Sequence, residues 1–120
     1  MDTNSERARQ EKHVELGDVI SLSVEQILKL ERASPNLKNA EPALAATDRF
    51  VVERAVKDGG GTGMGPHDVY PDGHHVTARR LKDQRTYDPD GLAIDFYQSG
   101  CFINEIGAVS KLGKMKLTFL

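Results

Sequence analysis

Residues 59–65 read GGGTGMG, five glycines in seven positions. Glycine gives up more backbone freedom on folding than any other residue, so neither a helix nor a strand runs through such a tract. Regular structure must stop before residue 59 and start afresh after residue 65, with a loop between. What flanks the tract is strand-like. Residues 50–56 (FVVERAV) are rich in β-formers, and residues 74–81 (HHVTARRL) follow the turn signal Pro71-Asp72-Gly73. The same punctuation recurs as Asp88-Pro89-Asp90-Gly91 before residues 92–97 (LAIDFY). Proline presets φ for a turn and glycine supplies the left-handed residue that closes it, so consecutive antiparallel pairing is expected.

Upstream, residues 16–22 (LGDVISL) alternate apolar and polar after a Gly-Asp turn, which predicts a first strand. Ser23 with Gln26 three residues on has the form of a capping box. Ile27, Leu28 and Leu30 supply the apolar stripe of a short helix that Pro35 stops. Pro42 and the alanine-rich residues 43–46 predict one more helical turn. The closing strand is expected where Met115, Leu117 and Phe119 alternate with Lys114, Lys116 and Thr118, each buried side chain contributing about 1.5–3 kcal/mol. Residues 1–15 set Asp2, Glu6, Glu11 and Glu15 against Arg7, Arg9 and Lys12, and read as a polar N-terminal arm or a solvated helix.

The predicted class is therefore α+β and β-dominated. About five short strands over residues 16–120 form a small antiparallel sheet or an SH3-like barrel, with a helical insertion at 23–46. At 120 residues the chain suits a single domain. Which face of each strand is buried stays open, because Val51, Val52 and Val56 do not alternate. A slip of one residue exchanges Arg79 for Arg80.

Sixteen basic side chains against eighteen acidic ones give a formal charge of −2. That balance removes the electrostatic argument for a nucleic-acid or membrane-surface partner. No apolar run approaches the roughly 18 residues of a membrane span, and the polar start lacks the apolar core of a signal peptide. A cytoplasmic protein is expected. Cys101, the single cysteine, forms neither an internal disulfide nor a cysteine-only zinc site.

The glycine tract suggests a backbone nest, since the N–H groups of Gly60, Gly61, Thr62 and Gly63 are unobstructed by large side chains and can surround an anion. It is not a Walker loop, because Pro66-His67-Asp68 stands where Gly-Lys-Ser/Thr and a helix are required. It is not a dinucleotide fingerprint either, for want of a βαβ unit. The plainer reading is a hairpin connection. His67, Asp68, His74 and His75 are ligand types for a divalent metal, and Cys101 adds a fifth. Adjacent His74 and His75 on a strand point to opposite faces, however, and the spacing matches no zinc pattern. Exposed histidines that titrate near neutrality are expected, with no metal and no cofactor. Cys101 with a histidine and an acid is also the parts list of a thiol nucleophile. Its setting in YQSGCF reads as partly buried, and no two carboxylates are spaced for acid–base work, so the residues by themselves make a weak case for an enzyme.

A binding site is easier to assemble. Arg79 and Arg80 offer planar forks to phosphate. Phe96, Tyr97 and Phe102 offer faces for a base, and Gln98, Ser99 and Asn104 offer hydroxyl and amide partners. With the glycine backbone, His67 and His75, these are the groups a phosphorylated, nucleotide-like ligand requires. Replacing both arginines by alanine is then expected to abolish binding and leave the fold intact.

Three stretches, GGGTGMGPHDVYPDGHHVTARRL (59–81), DFYQSGCF (95–102) and GKMKLTFL (113–120), together resemble small bacteriophage and prophage proteins. In size and layout the chain is similar to the Thoeris anti-defence sponges, phage proteins that bind and sequester nucleotide-derived immune signals of the host. The resemblance covers residues 50–120 and carries over no ligand-contacting residue. It implies a phage origin, a non-enzymatic, sequestering role in the bacterial host cell and a homo-oligomer. Two other functions compete. One is a protein-interaction module that docks to a host protein and inhibits it through the β-domain or the arm. The other is a metal-dependent or thiol enzyme built on His67, His74, His75 and Cys101.

Overall fold

The computed structural model describes residues 10–11, 14–57, 74–96 and 106–117. The strands are β1 (Gln10–Glu11), β2 (Asp18–Ser21), β3 (Phe50–Lys57), β4 (His74–Arg80), β5 (Ala93–Asp95) and β6 (Val109–Lys114). Helix α1 (Val24–Ala33) and a 3-10 turn (Pro35–Asn39) lie between β2 and β3. The strands form one sheet in the order β1-β6-β2-β3-β4-β5, and every pairing is antiparallel. Of the two architectures expected, this is the open sheet, with β1 and β5 at its edges.

The locally encoded parts match expectation. Ser23 Oγ accepts from the Gln26 N–H at 3.1 Å, and Gln26 Oε1 accepts from the Ser23 N–H at 2.8 Å, closing the capping box. Ile27 and Leu30 enter the core, whereas Leu28 of the expected stripe is 49% exposed. The helix stops at Ala33, before Pro35. Pro35 instead opens the 3-10 turn, where its missing N–H is harmless. Residues 43–46 are not helical, in contrast to the expectation. The Ala45 N–H donates to the Asp48 carboxylate at 3.0 Å and not to a helical carbonyl.

Two features depend on distant residues. The closing strand lies at Val109–Lys114, ahead of the alternating stretch at 115–119. Residues 115–117 are irregular, and 118–119 lie outside the described residues. The partner of β6 decides this. Lys114 pairs with Asp18, the first residue of β2, and the chain of β2 turns away at Gly17, whose φ is +89°. The Met115 N–H donates to the Gly17 carbonyl at 2.7 Å, and a Cβ on Gly17 would lie 2.7 Å from the Met115 carbonyl oxygen. The end of the polar arm also joins the sheet. Gln10 and Glu11 pair with Ser110 and Val109, and Val14 is buried.

Ile20, Leu30, Phe50, Val52, Val76, Ile94, Phe96 and Val109 lie in the core between α1 and the sheet. Val51, on the opposite face of β3, is also fully buried, so both faces are covered at this point. That coverage explains why residues 51 and 52 did not alternate. The register with β4 then passes from Val52–Ala78 to Arg54–Thr77, leaving Glu53 as the extra residue of a β-bulge.

Asp18 is 5% exposed. Its Oδ2 accepts from the Glu15 N–H at 2.8 Å and lies 3.3 Å from Lys111 Nζ, while Oδ1 lies 3.0 Å from Lys114 Nζ. Burial works to raise its pKa, but the Glu15 N–H and the two ammonium groups outweigh burial and hold the carboxyl below its ordinary value. Among the described residues no helix is long and apolar enough to cross a membrane.

Candidate functional site

Strand alternation separates the two adjacent arginines. Val76 and Ala78 face the core, so Arg80 ends that row while Arg79 stands opposite Val51 on the other face. Each arginine already has protein partners.

Arg79 Nε pairs with Glu53 Oε2 at 2.5 Å, and its Nη1 donates to the carbonyls of Pro89 and Gly91 at 3.0 and 2.8 Å. Two residues on from Val51, Glu53 lies on the face of β3 that Arg79 shares. Tyr87 Oη donates to the same Glu53 oxygen. The Glu53 carboxylate raises the Arg79 pKa further, so the guanidinium is permanently charged. Burial and the adjoining carboxylate push the Tyr87 phenol above its ordinary value, which keeps it a donor. Arg79 thus pins the turn at 88–91, closed by the Gly91 N–H on the Asp88 carbonyl at 2.9 Å. Gly91 is not left-handed, in contrast to the expectation for this turn. Glycine is required there because a Cβ would lie 2.4 Å from the Arg80 carbonyl oxygen.

Arg80 is buried, and its Nη1 lies 3.2 Å from Asp48 Oδ2. Asp48 is itself held by the Ala45 N–H on Oδ2 and by its own N–H on the Ala45 carbonyl at 2.9 Å. Arg80 therefore ties the segment at 41–48 to the end of β4.

The segment held by Arg80 and the turn held by Arg79 both line one cleft of about 380 Å³. Glu41, Asp48, Asp83, Asp88 and Asp90 give it five carboxylates. Arg80 and Lys82 give it two cations, and Pro42, Leu81 and Leu92 are its apolar part. Asp83 and Gln84, also in the lining, form the centre of a tight turn in which the Arg85 N–H donates to the Lys82 carbonyl at 3.0 Å. Both are left-handed, with φ of 54° and 66°. Two successive positive φ values are the type I′ pattern that Asn-Gly adopts most readily. Non-glycine residues there are strained by about 1–2 kcal/mol each.

Among the described residues, Arg80 is the one site candidate from sequence that lines this cleft. Arg79 acts behind its wall. His74 and His75 open β4 opposite Lys57 and Val56. Four residues of strand, about 13 Å at ~3.3 Å per residue, separate the backbone of His75 from that of Arg79. Phe96 is fully buried in the core, so it offers no face to a ligand. Gly60, Gly61, Thr62, Gly63, His67, Tyr97, Gln98, Ser99, Cys101, Phe102 and Asn104 lie outside the described residues. Asp48, Glu53 and Tyr87 were not foreseen. Glu53 carried the one usable signal, a carboxylate inside a run of β-formers. Among the described residues no group of three or more His, Cys, Asp or Glu side chains is disposed to hold a metal ion. The chain matches no family model, no curated protein and no solved structure.

Proposed function

We propose that this chain is a non-enzymatic binding protein for a small nucleoside-derived ligand with a single anionic group. The cleft beside Arg80 carries the reading. Its volume of about 380 Å³ falls within the ~300–1,000 Å³ usual for small-molecule sites. Sugar hydroxyls and base amino groups are donors, and the five carboxylates are acceptors for them. Arg80 and Lys82 supply cations for one phosphate. A polyphosphate suits the lining poorly. Each further negative charge about 5 Å from a carboxylate is disfavoured by roughly 3 kcal/mol at an effective dielectric of about 20. Sequestration of a nucleotide-derived immune signal, as the phage resemblance implies, is the physiological form of this reading. The glycine tract and residues 97–104 enter it from sequence alone.

Native mass spectrometry of protein purified from bacterial cells, before and after mild unfolding, tests it. A released mass matching a nucleoside with one phosphate is expected. Calorimetry should then show nucleoside monophosphates binding more tightly than triphosphates. An apo mass together with no heat from either class overturns the reading in favour of a protein partner.

A further inference from the structure

We propose that Asp48 determines the specificity of the cleft: its carboxylate occupies Arg80 as an internal stand-in for the ligand's anionic group, and a ligand must displace it. This inference rests on the binding reading above. Arg80 is the buried cation of the lining, with a side chain 10% exposed, and Nη1 already faces Asp48 Oδ2. An incoming phosphate oxygen therefore meets a guanidinium that has an anion beside it. Two anions crowded onto one fork repel each other, so tight binding requires Asp48 to withdraw.

The geometry allows that withdrawal. Asp48 ends a segment in which Glu41, Pro42, Ala43 and Ala45 are exposed. The same Oδ2 holds both Arg80 and the Ala45 N–H, so one movement of the carboxylate frees both donors. A neighbouring bond, from the Leu81 N–H to the Arg49 carbonyl at 2.8 Å, stays in place and acts as the hinge end. The selectivity that follows is chemical. A phosphate, which can engage both arms of the fork, displaces the single carboxylate contact. A ligand carboxylate can engage both arms too, but it brings one negative charge, as Asp48 does, where a phosphate monoester brings about −1.5 to −2.

The test is an NMR titration of the full chain with adenosine monophosphate and, separately, with inorganic phosphate, in the wild type and in Asp48→Asn. Asparagine keeps an oxygen for the Ala45 N–H and removes the competing charge. Affinity for both probes should rise on the order of a hundredfold in Asp48→Asn, the scale of one like charge relieved at close range. In the wild type, the Arg80 Nε–Hε and Ala45 amide signals should move together on saturation. Wild-type binding with equal or weaker affinity in Asp48→Asn overturns the stand-in role and leaves the cleft as a site. Failure of both probes to bind either protein overturns the site as well. Arg80→Lys keeps the charge without the fork and should lose binding in both backgrounds. Retained affinity there also overturns the proposal, and should that variant not fold, the Asp48→Asn comparison decides alone.

Discussion

Replacing Arg79 and Arg80 together by alanine removes two struts from opposite faces of β4. Arg79 makes three charge-assisted contacts, to Glu53, Pro89 and Gly91, and its side chain is 23% exposed. Hydrogen bonds to charged groups contribute about 1.5–3 kcal/mol when buried. Discounted for exposure, and counting the Glu53 carboxylate left with Tyr87, the loss is about 2–3 kcal/mol. Arg80 makes one ion pair with Asp48, for about 1–2 kcal/mol. The two share no partner, so the losses should nearly add, to about 3–5 kcal/mol. That is a large part of the 5–15 kcal/mol that holds an ordinary domain together. Urea unfolding followed by far-UV circular dichroism measures it. At about 2 kcal/mol per molar urea the midpoint should fall by roughly 2 M. A double variant within about 1 kcal/mol of the wild type would refute the strut roles derived from these contacts. With them in force, lost ligand binding in that variant reports a weakened fold as much as a missing contact.

Two further outcomes follow from the geometry. Asp18→Asn should destabilise by about 2–3 kcal/mol at neutral pH, because it removes the buried carboxylate that the Lys111 and Lys114 ammonium groups both face. Since the folded pKa of Asp18 is lowered, its contribution is complete above the ordinary carboxylate value and disappears as pH falls through the folded one. The gap in urea midpoint between wild type and variant should therefore be wide at pH 7 and close at acid pH; a gap independent of pH sinks this account. Asp83→Asn combined with Gln84→Gly should relieve the left-handed turn and stabilise by about 1 kcal/mol. A lower melting temperature in that variant would show that the two side chains make contacts that outweigh the strain.

What was legible in the sequence was local. A capping box needs only Ser23 and Gln26, and the β3–β4 and β4–β5 pairings join strands consecutive in the chain. The closing strand was misplaced because alternation at 115–119 carries no information about its partner. The residues of β6 that pair with Asp18, Val19, Ile20 and Ser21 include Gly113 and lack a clean period. In the site, the arginines were visible as residue types but their partners were not. Glu53 reaches Arg79 across 26 positions of chain and Asp48 reaches Arg80 across 32. Neither relation has a spacing to recognise.

The position of β6 also has consequences during synthesis. Strands β2 to β5 follow one another along the chain in the order in which they pair, so a four-stranded meander can form before β6 is in place. β6 comes last yet belongs between β1 and β2. Until residues 109–114 clear the exit tunnel, the outer edge of β2 has no partner and Gln10–Glu11 has nothing to pair with. An uncovered strand edge is a template for another chain. Chains truncated before residue 109 are therefore the species that should pair with one another through this edge, and the species a chaperone should hold longest.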